Sequence, residues 1–373
     1  MIRKCKAICY HKLNRPRNCF SNMEYSYKNK IELNGTTIGY DQPCYIIAEI
    51  GINHNGDLSL AKKLIDVAVE SGANAVKFQK RDLESLYQKE ILENPALDSQ
   101  GTEILIDILN EVEFHEDDFK NIVEYCKEKK ITFLCTPWDI SSVDFLERLN
   151  VPAYKIASAD MTNFPLLRYI SKTKKPMIIS TGMSNIDEIE KTVDFVKKEN
   201  TQFVLLHCNS TYPSPIELLN LNLIPVLREK FDIPIGYSGH ESIIIPSIVA
   251  TNMGAVIIER HITLDKTMKG LDQAASLEPQ EFKRLVQYIR ESEKAQGVPI
   301  KKMTRGEMLQ REVLGKSIVC SLDIQKDEVF SEENVEIKTP ARGLSPQYYY
   351  ELIGKKSLRT IKRGEYLQLD DLK

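Results

Sequence analysis

Eight short apolar runs, each followed by a segment of helical periodicity, constrain this chain more than any other feature. The runs are CYIIAEI (44–50), AVKFQ (75–79), ITFLCTPW (131–138), AYKIAS (153–158), PMIIST (176–181), FVLLHC (203–208), IPIGYSG (233–239) and AVIIERH (255–261). Between them, LSLAKKLIDVAVES places Leu60, Leu64, Val67 and Ala68 on one helical face, and EDDFKNIVEYCKEKK does the same with Phe119, Ile122, Val123 and Cys126. SSVDFLERLN and NIDEIEKTVDFVKKEN fit the same template, and Gly72 falls where a left-handed helix end is usual. A strand–helix unit repeated eight times over roughly 250 residues predicts a parallel (β/α)8 barrel, the TIM-barrel architecture. An open doubly wound sheet is the competitor. It usually has fewer strands, and no GxGxxG follows the first strand here.

The bulk properties narrow the function classes. The 373 residues suffice for two domains, and a formal net charge of -3 gives no electrostatic footprint for nucleic acid. No apolar run approaches the roughly 18 residues of a membrane span. The eight cysteines (5, 9, 19, 44, 126, 135, 208 and 320) include no CxxC pair, and several lie inside apolar runs. That pattern predicts buried free thiols in a reducing cytoplasm rather than a disulfide framework or a zinc ribbon. Residues 1–20 hold six Lys/Arg and no Asp or Glu, without the apolar stretch of a signal peptide. Residues 1–30 are read as a poorly ordered basic extension with no functional role. The segment 80–105 is too long for an ordinary strand-to-helix loop, and loops at that end of a barrel tend to cover a site.

Chemistry in such a barrel sits at the C-terminal ends of the strands. Those ends are Glu49; Lys77 with Gln79; Thr136; Lys155 with Ser158; Ser180 with Thr181; His207 with Asn209; Ser238 with His240; and Glu259 with His261. A lone Lys or His at a strand end is most often solvated or merely hydrogen-bonded. The strand period of two, however, puts Lys77 with Gln79, and Glu259 with His261, on one face, with Val76, Phe78, Ile258 and Arg260 on the other. Several charged groups aimed at one barrel mouth are poorly explained as packing, because unpaired buried charge is expensive. Neutral His240 and His261 suit one divalent metal with open positions, and Glu259 suits a bound water or a supporting hydrogen bond. Lys77 and Lys155, with the hydroxyls of Thr136, Ser158, Ser180 and Ser238, make a donor-rich pocket fit for a phosphate and a carboxylate together.

The stretches AEIGINHNGDLSLAKKLIDVAVESGANAVKFQ, AYKIASAD, STGM, IPIGYSGHE and ERHITLDKTMKGLDQAASLEP resemble the sialic acid synthases, the phosphoenolpyruvate-dependent synthases of N-acetylneuraminate and related nonulosonic acids. The resemblance runs from about residue 31 to the C-terminus. LGKSIVCSLDIQKDEVF and the sequence after it resemble that family's small β-rich antifreeze-like (SAF, β-clip) domain. Within it KSIVCSLDIQKDEVF and KKSLRTIKRGEYL are half-repeats, Ile324 to Phe330 echoing Ile361 to Leu367. The expected organisation is a barrel over 31–297, a linker over 298–312 and the SAF domain over 313–373.

The resemblance implies a transferase that binds phosphoenolpyruvate and an N-acylhexosamine at a Mn2+ or Mg2+ ion, in a domain-swapped homodimer. It implies attack of phosphoenolpyruvate C3 on the open-chain sugar aldehyde, addition of water at C2, and loss of phosphate with C–O cleavage. His240 and His261 match the metal ligands, Glu259 the acid beside the metal water, and Glu49 the carboxylate near the reacting centre. Lys77, Thr136, Lys155, Ser158, Ser180 and Ser238 match the phosphoenolpyruvate contacts. Gln79, Asp160, Tyr212 and Asp272 match the acceptor-sugar side. Departures lie on the sugar side and the cap: Ser210, Gln273 and Trp138 stand where other members often carry Asn, His and Phe, and Thr339 stands at the usual capping Arg, with Arg342 as its candidate replacement. They leave open N-acetylmannosamine, its 6-phosphate, or the diacetamido-trideoxyhexose of a legionaminate or pseudaminate synthase. Another metal-dependent barrel aldolase and a catalytically dead sugar-binding barrel are the remaining alternatives. The SAF domain argues against the first, and the retained His and Lys residues against the second.

Overall fold

The structure is a computed structural model that describes residues 30–93 and 102–372; the expectation for the basic extension lies outside the described residues. The chain divides into two compact units, one ending at Gly297 and one beginning at Val298.

The first unit opens with a hairpin not foreseen from the sequence, β1 (Ile31–Leu33) against β2 (Thr36–Ile38). Its turn is Asn34-Gly35, both at positive φ (49° and 77°), which matches the right-handed twist of a two-residue hairpin. Eight parallel strands follow: β3 (Tyr45–Gly51), β4 (Ala75–Lys80), β5 (Thr132–Pro137), β6 (Tyr154–Ile156), β7 (Met177–Ser180), β8 (Phe203–Cys208), β9 (Ile235–Gly239) and β10 (Ile257–His261). They pair in sequential order and close through β10 against β3, so the barrel is complete. Each falls on one expected run, β3 and β4 extending one residue past theirs, to Gly51 and Lys80. β6 is shorter than its run because Ser158–Asp160 turn into a 3-10 helix.

The helices of this unit are α1 (Leu58–Ser71), α2 (Leu83–Leu86), α3 (Lys89–Glu93), α4 (Thr102–Val112), α5 (Glu116–Lys129), α6 (Ile140–Arg148), α7 (Phe164–Ser171), α8 (Ile186–Glu199), α9 (Leu223–Phe231), α10 (Ile245–Asn252) and α11 (Pro279–Gln296). In α1 the Asp57 carboxylate accepts from the Ser59 and Leu60 N–H groups, and Gly72 ends the helix at φ 85°. Its buried face is Ala61, Leu64, Ile65 and Ala68, turned by one residue from the expected stripe, with Leu60 and Val67 at its margin. In α5 the expected residues Phe119, Ile122, Val123 and Cys126 are all buried.

The lumen is layered. At its N-terminal end Tyr45, Ile47, Leu134, Ile178, Val204 and Leu206 form an apolar plug with Ile31, Leu33 and Ile38 of the hairpin. Crowding there is severe: a Cβ on Gly236 would stand 2.5 Å from the Leu206 side chain and 2.7 Å from the Ile257 carbonyl oxygen. Two residues further along, the inward positions become polar on every strand but β8, which presents Cys208. The plug therefore closes one end, and the functional groups face the other.

The second unit contains α12 (Arg305–Leu314), β11 (Ser317–Cys320), β12 (Val335–Lys338) and α13 (Tyr349–Leu352) around a core of Ile318, Ile324, Phe330, Leu344, Ile361 and Leu367. The half-repeats meet at their matching residues: Ile324 and Ile361 exchange backbone hydrogen bonds at 2.9 and 2.8 Å. The stretch expected as a linker holds α12, started by a reciprocal Thr304–Glu307 cap. The five described cysteines, Cys44, Cys126, Cys135, Cys208 and Cys320, are free and buried. Among the described residues no helix is long and apolar enough to cross a membrane.

Candidate active site

Strand register assembles the polar layer. Glu49 lies beside Lys77 and His261, Gln79 beside Thr136, and Glu259 beside Ser238. These side chains surround a cavity of about 220 Å3. Of the residues picked out from the sequence, Glu49, Glu259, His240 and His261 line it, as do Lys77, Thr136, Lys155, Ser158, Ser180 and Ser238. Gln79 and Tyr212 line it too, together with Trp138 and Ser210.

The floor is a ladder of alternating charge. Lys77 Nζ stands 2.9 Å from Glu49 Oε2 and 3.5 Å from Glu259 Oε1, and Lys155 Nζ 3.7 Å from the same Glu259 oxygen. Lys77 also donates to Thr136 Oγ1 (3.2 Å), and Lys155 to Ser180 Oγ (2.7 Å). Ser238 Oγ donates to Glu259 Oε1 at 3.2 Å. Burial opposes ionisation of Glu259, but Lys155 and Lys77 outweigh it and hold its carboxyl at about 2. Burial dominates at Glu49 and raises its carboxyl, with Lys77 pulling the other way. Two carboxyls in one cavity are thus pushed apart, one firmly ionised and one nearer to carrying a proton, which is the arrangement proton transfer requires.

The two histidines stand side by side, ring centroids 5.5 Å apart, with Tyr212 stacked on His240 at 4.0 Å. His240 Nδ1 donates to the Asn209 carbonyl at 2.7 Å, which leaves the Nε2 lone pair available when the ring is neutral. His261 Nδ1 has no hydrogen-bond partner and Glu259 Oε2 has none either. Burial lowers His261 to about 4, so its ring is neutral near pH 7. Burial opposes the charged form of His240, but Cys208 beside it and the Asn209 carbonyl outweigh burial and raise it. The open Nε2 of His240 in its neutral form and the unpartnered, neutral His261, both beside the Glu259 carboxylate, fit a divalent cation. Among the described residues no group of three or more His, Cys, Asp and Glu is arranged to hold an ion. The pair therefore offers two protein ligands and leaves other positions to water or substrate.

Asp160, Asp272 and His207 fall outside the cavity wall. Asp160 is buried, held by Asn163 Nδ2 at 2.9 Å, and is not part of the cavity wall. Asp272 is also outside the wall, with Oδ2 3.7 Å from His261 Nδ1. Arg342 is an exposed residue of the second unit. His207 faces outward, its Nε2 2.7 Å from the Leu219 carbonyl, and the next residue, Cys208, takes the lumen position. None of the described residues from 82 to 93 or 105 borders the cavity; 94–101, in the insertion expected to cover it, lie outside the described residues.

Sequence reasoning missed Arg81. Its guanidinium donates to Gln79 Oε1 and stacks on Trp138 with the central carbon 4.6 Å from the ring. Gln79 Nε2 in turn donates to Glu49 Oε1 at 3.0 Å, so Arg81 fixes which way the Gln79 amide faces. The signal was the period of two, which places Arg81 in line with Lys77 and Gln79.

Burial also lowers His54, whose ring stacks on Phe114 at 3.9 Å, to about 3. His54 and His261 are thus neutral in the folded protein and charge near pH 6.5 when unfolded. The unfolded chain binds more protons below pH 6.5, so stability rises with pH there and is lost as pH falls. Between pH 6.5 and 5 each should remove up to about 1.4 kcal/mol per pH unit from the metal-free protein. Urea titrations at the two pH values measure this, and an unchanged midpoint contradicts it.

Comparison with known proteins agrees across the chain. The NeuB family model matches residues 64–301 and the SAF domain model residues 315–373. The N-acetylneuraminate-9-phosphate synthase of Homo sapiens is 40% identical over 334 residues, 89% of this chain and 93% of that protein. The N,N'-diacetyllegionaminic acid synthase of Campylobacter jejuni is 40% identical over 328 residues, 87% of this chain and 98% of that protein. Among solved structures, the N-acetylneuraminic acid (sialic acid) synthetase of Leptospira borgpetersenii superposes with a TM-score of 0.68 at 35% identity, covering 75% of this chain and 94% of that one.

Proposed function

The chain belongs to the NeuB family, and from that membership we propose that it condenses phosphoenolpyruvate with N-acetylmannosamine or a related N-acylhexosamine. The products are a nine-carbon 2-keto acid and phosphate. The observation that carries this is one cavity holding both a lysine- and hydroxyl-lined floor and two adjacent imidazoles with lone pairs to offer.

Lys77 and Lys155, with Thr136, Ser158, Ser180 and Ser238, bind the phosphate and carboxylate of phosphoenolpyruvate and hold C3 toward the acceptor. His240 and His261 hold Mn2+ or Mg2+, which when bound supplies Lewis-acid polarisation of the sugar aldehyde oxygen. Glu259 stays ionised and orients a water or hydroxyl. Glu49, held by Lys77 and Gln79, moves a proton at the reacting centre. Water adds at C2 and phosphate departs with its bridging oxygen, so C–O rather than P–O breaks. Gln79 and Tyr212 face the sugar, and Asp160 and Asp272 support that side from outside the wall.

The sugar is the open variable. A human relative named for a 9-phosphate product points to a 6-phosphorylated hexosamine, and a Campylobacter relative to the diacetamido-trideoxyhexose leading to legionaminate. Phosphate release from phosphoenolpyruvate, followed with N-acetylmannosamine, its 6-phosphate and 2,4-diacetamido-2,4,6-trideoxymannose in parallel, identifies the acceptor. Release with one of them, abolished by EDTA, is expected. Absence of phosphoenolpyruvate binding in a ligand titration contradicts the proposal.

A cytoplasmic, domain-swapped homodimer completes it. Exposed apolar side chains stand in the segments that follow the barrel strands, among them Met183, Tyr212, Ile216, Ile245 and Leu271. On the second unit Met308, Leu309, Val313 and Leu314 of α12 are exposed as well. Such patches suit a second copy of the chain. In that assembly Arg342 supplies the capping cation. Arg342→Ala should raise the acceptor KM about tenfold or more, the value of one charged hydrogen bond, and leave the phosphoenolpyruvate KM in place. An unchanged acceptor KM removes Arg342 from the site.

A further inference from the structure

Behind the two histidines lies a second charged pair that the reaction does not touch. Arg260 precedes His261 and Glu241 follows His240. Their side chains point out of the lumen and are fully buried, Arg260 Nη1 2.8 Å from Glu241 Oε1. Arg260 Nη1 also donates to the Ile243 carbonyl and to Ser247 Oγ, both at 3.0 Å, and Nη2 donates to the Glu241 carbonyl. The other Glu241 oxygen accepts from Tyr237 Oη at 2.8 Å. Room is made by Gly239, paired with Arg260 across the sheet, where a Cβ would lie 2.6 Å from the Glu241 carboxylate.

We propose that Arg260 and Glu241 are positioning residues that brace the loop carrying His240 against the strand carrying His261 and so set the spacing of the two imidazoles for a shared divalent ion. The inference rests on His240 and His261 being the ligands. A buried ion pair is a weak source of stability, since an apolar pair of similar volume serves a core equally well. What it supplies here is geometry. The guanidinium pins two backbone carbonyls and a hydroxyl of residues 241–247 to the end of β10, one residue from each histidine. Without it the β9 exit loop has lost its fixed contact with the neighbouring strand.

The test measures Mn2+ affinity directly, by the electron paramagnetic resonance signal of free Mn2+, on the full-length chain. Trp138, the one tryptophan, lines the cavity, so its fluorescence reports phosphoenolpyruvate binding separately. Arg260→Met and Glu241→Gln each leave one buried charge uncompensated and destabilise the fold as well. The informative variant is the double apolar replacement Arg260→Met/Glu241→Leu. It should stay folded, with a melting temperature lowered because the Tyr237 hydroxyl and the residue 241 and Ile243 carbonyls lose their partners. It should bind Mn2+ roughly 10- to 100-fold more weakly, as loss of groups that orient ligands typically does, and bind phosphoenolpyruvate within about threefold of the parent. Arg260→Lys, which keeps the charge but not the fork, should fall between. A folded double variant with Mn2+ affinity within about twofold of the parent overturns the brace. So does a parallel fall of melting temperature, Mn2+ and phosphoenolpyruvate affinity in every variant. His261→Ala serves as the control: normal Mn2+ binding there overturns the ligand assignment, and the brace with it.

Discussion

Replacing His240 or His261 with alanine should lower turnover at least about a thousandfold while the protein stays folded. A thousandfold corresponds to about 4 kcal/mol of transition-state stabilisation, within the range a polarising cation supplies. The fold is expected to survive because neither ring belongs to the apolar plug or to the layer between strands and helices. Both line a cavity, and His261 is held neutral only at the expense of its own hydration. Removing it should cost about 1 kcal/mol, an ordinary value for a point substitution. Steady-state phosphate release and a thermal melt read the two effects separately. Near-normal turnover in either variant moves the metal site elsewhere.

Lys77→Met should be the most damaging single change in the cavity, for stability as well as for binding. Lys77 is the cation between Glu49 and Glu259, both almost fully buried. Its loss leaves Glu49 with Gln79 alone and sets two carboxylates against each other. Breaking a buried ion pair from one side costs about 3–5 kcal/mol. The sign of the pH dependence identifies the cause. Glu49 already has a raised carboxyl, and without Lys77 it rises further. A carboxyl whose folded value lies above its unfolded one destabilises the fold at high pH, and the penalty fades as pH falls and the group takes up its proton. The difference between variant and parent in urea should therefore be largest above pH 7 and shrink toward pH 5. Phosphoenolpyruvate affinity should fall by roughly 10- to 100-fold, the value of one charged hydrogen bond. A deficit independent of pH contradicts the electrostatic explanation.

The barrel was legible in the sequence because each of its strands is a continuous apolar run, and strands buried on both faces have that signature. The polar layer was legible because it breaks those runs at one end only. What periodicity did not supply was parity where the run carries no polar alternation. In FVLLHC both His207 and Cys208 end the strand, and only the closed barrel shows that Cys208 faces inward while His207 meets the Leu219 carbonyl. Arg81 is in line with Lys77 and Gln79 yet lies past the expected end of its strand, so it read as loop. Glu241 was hidden for a different reason. An acid after a strand end looks solvated, and its burial depends on Arg260 from the neighbouring strand, a contact set by register across the sheet. The hairpin at 31–38 had its own signal, Asn34-Gly35 between short apolar stretches, but strands of three residues are too short for alternation to show. Asp160 and Asp272 came from resemblance alone, and neither lines the cavity.

The most direct measurement follows one atom. Phosphoenolpyruvate labelled with 18O at the bridging C–O–P oxygen is turned over with Mn2+ and the acceptor that supports phosphate release, and both products are weighed by mass spectrometry. Condensation at this site should place the label in inorganic phosphate and yield a 2-keto acid three carbons longer than the sugar. Label retained in the organic product, or phosphate released without a lengthened sugar, would contradict it.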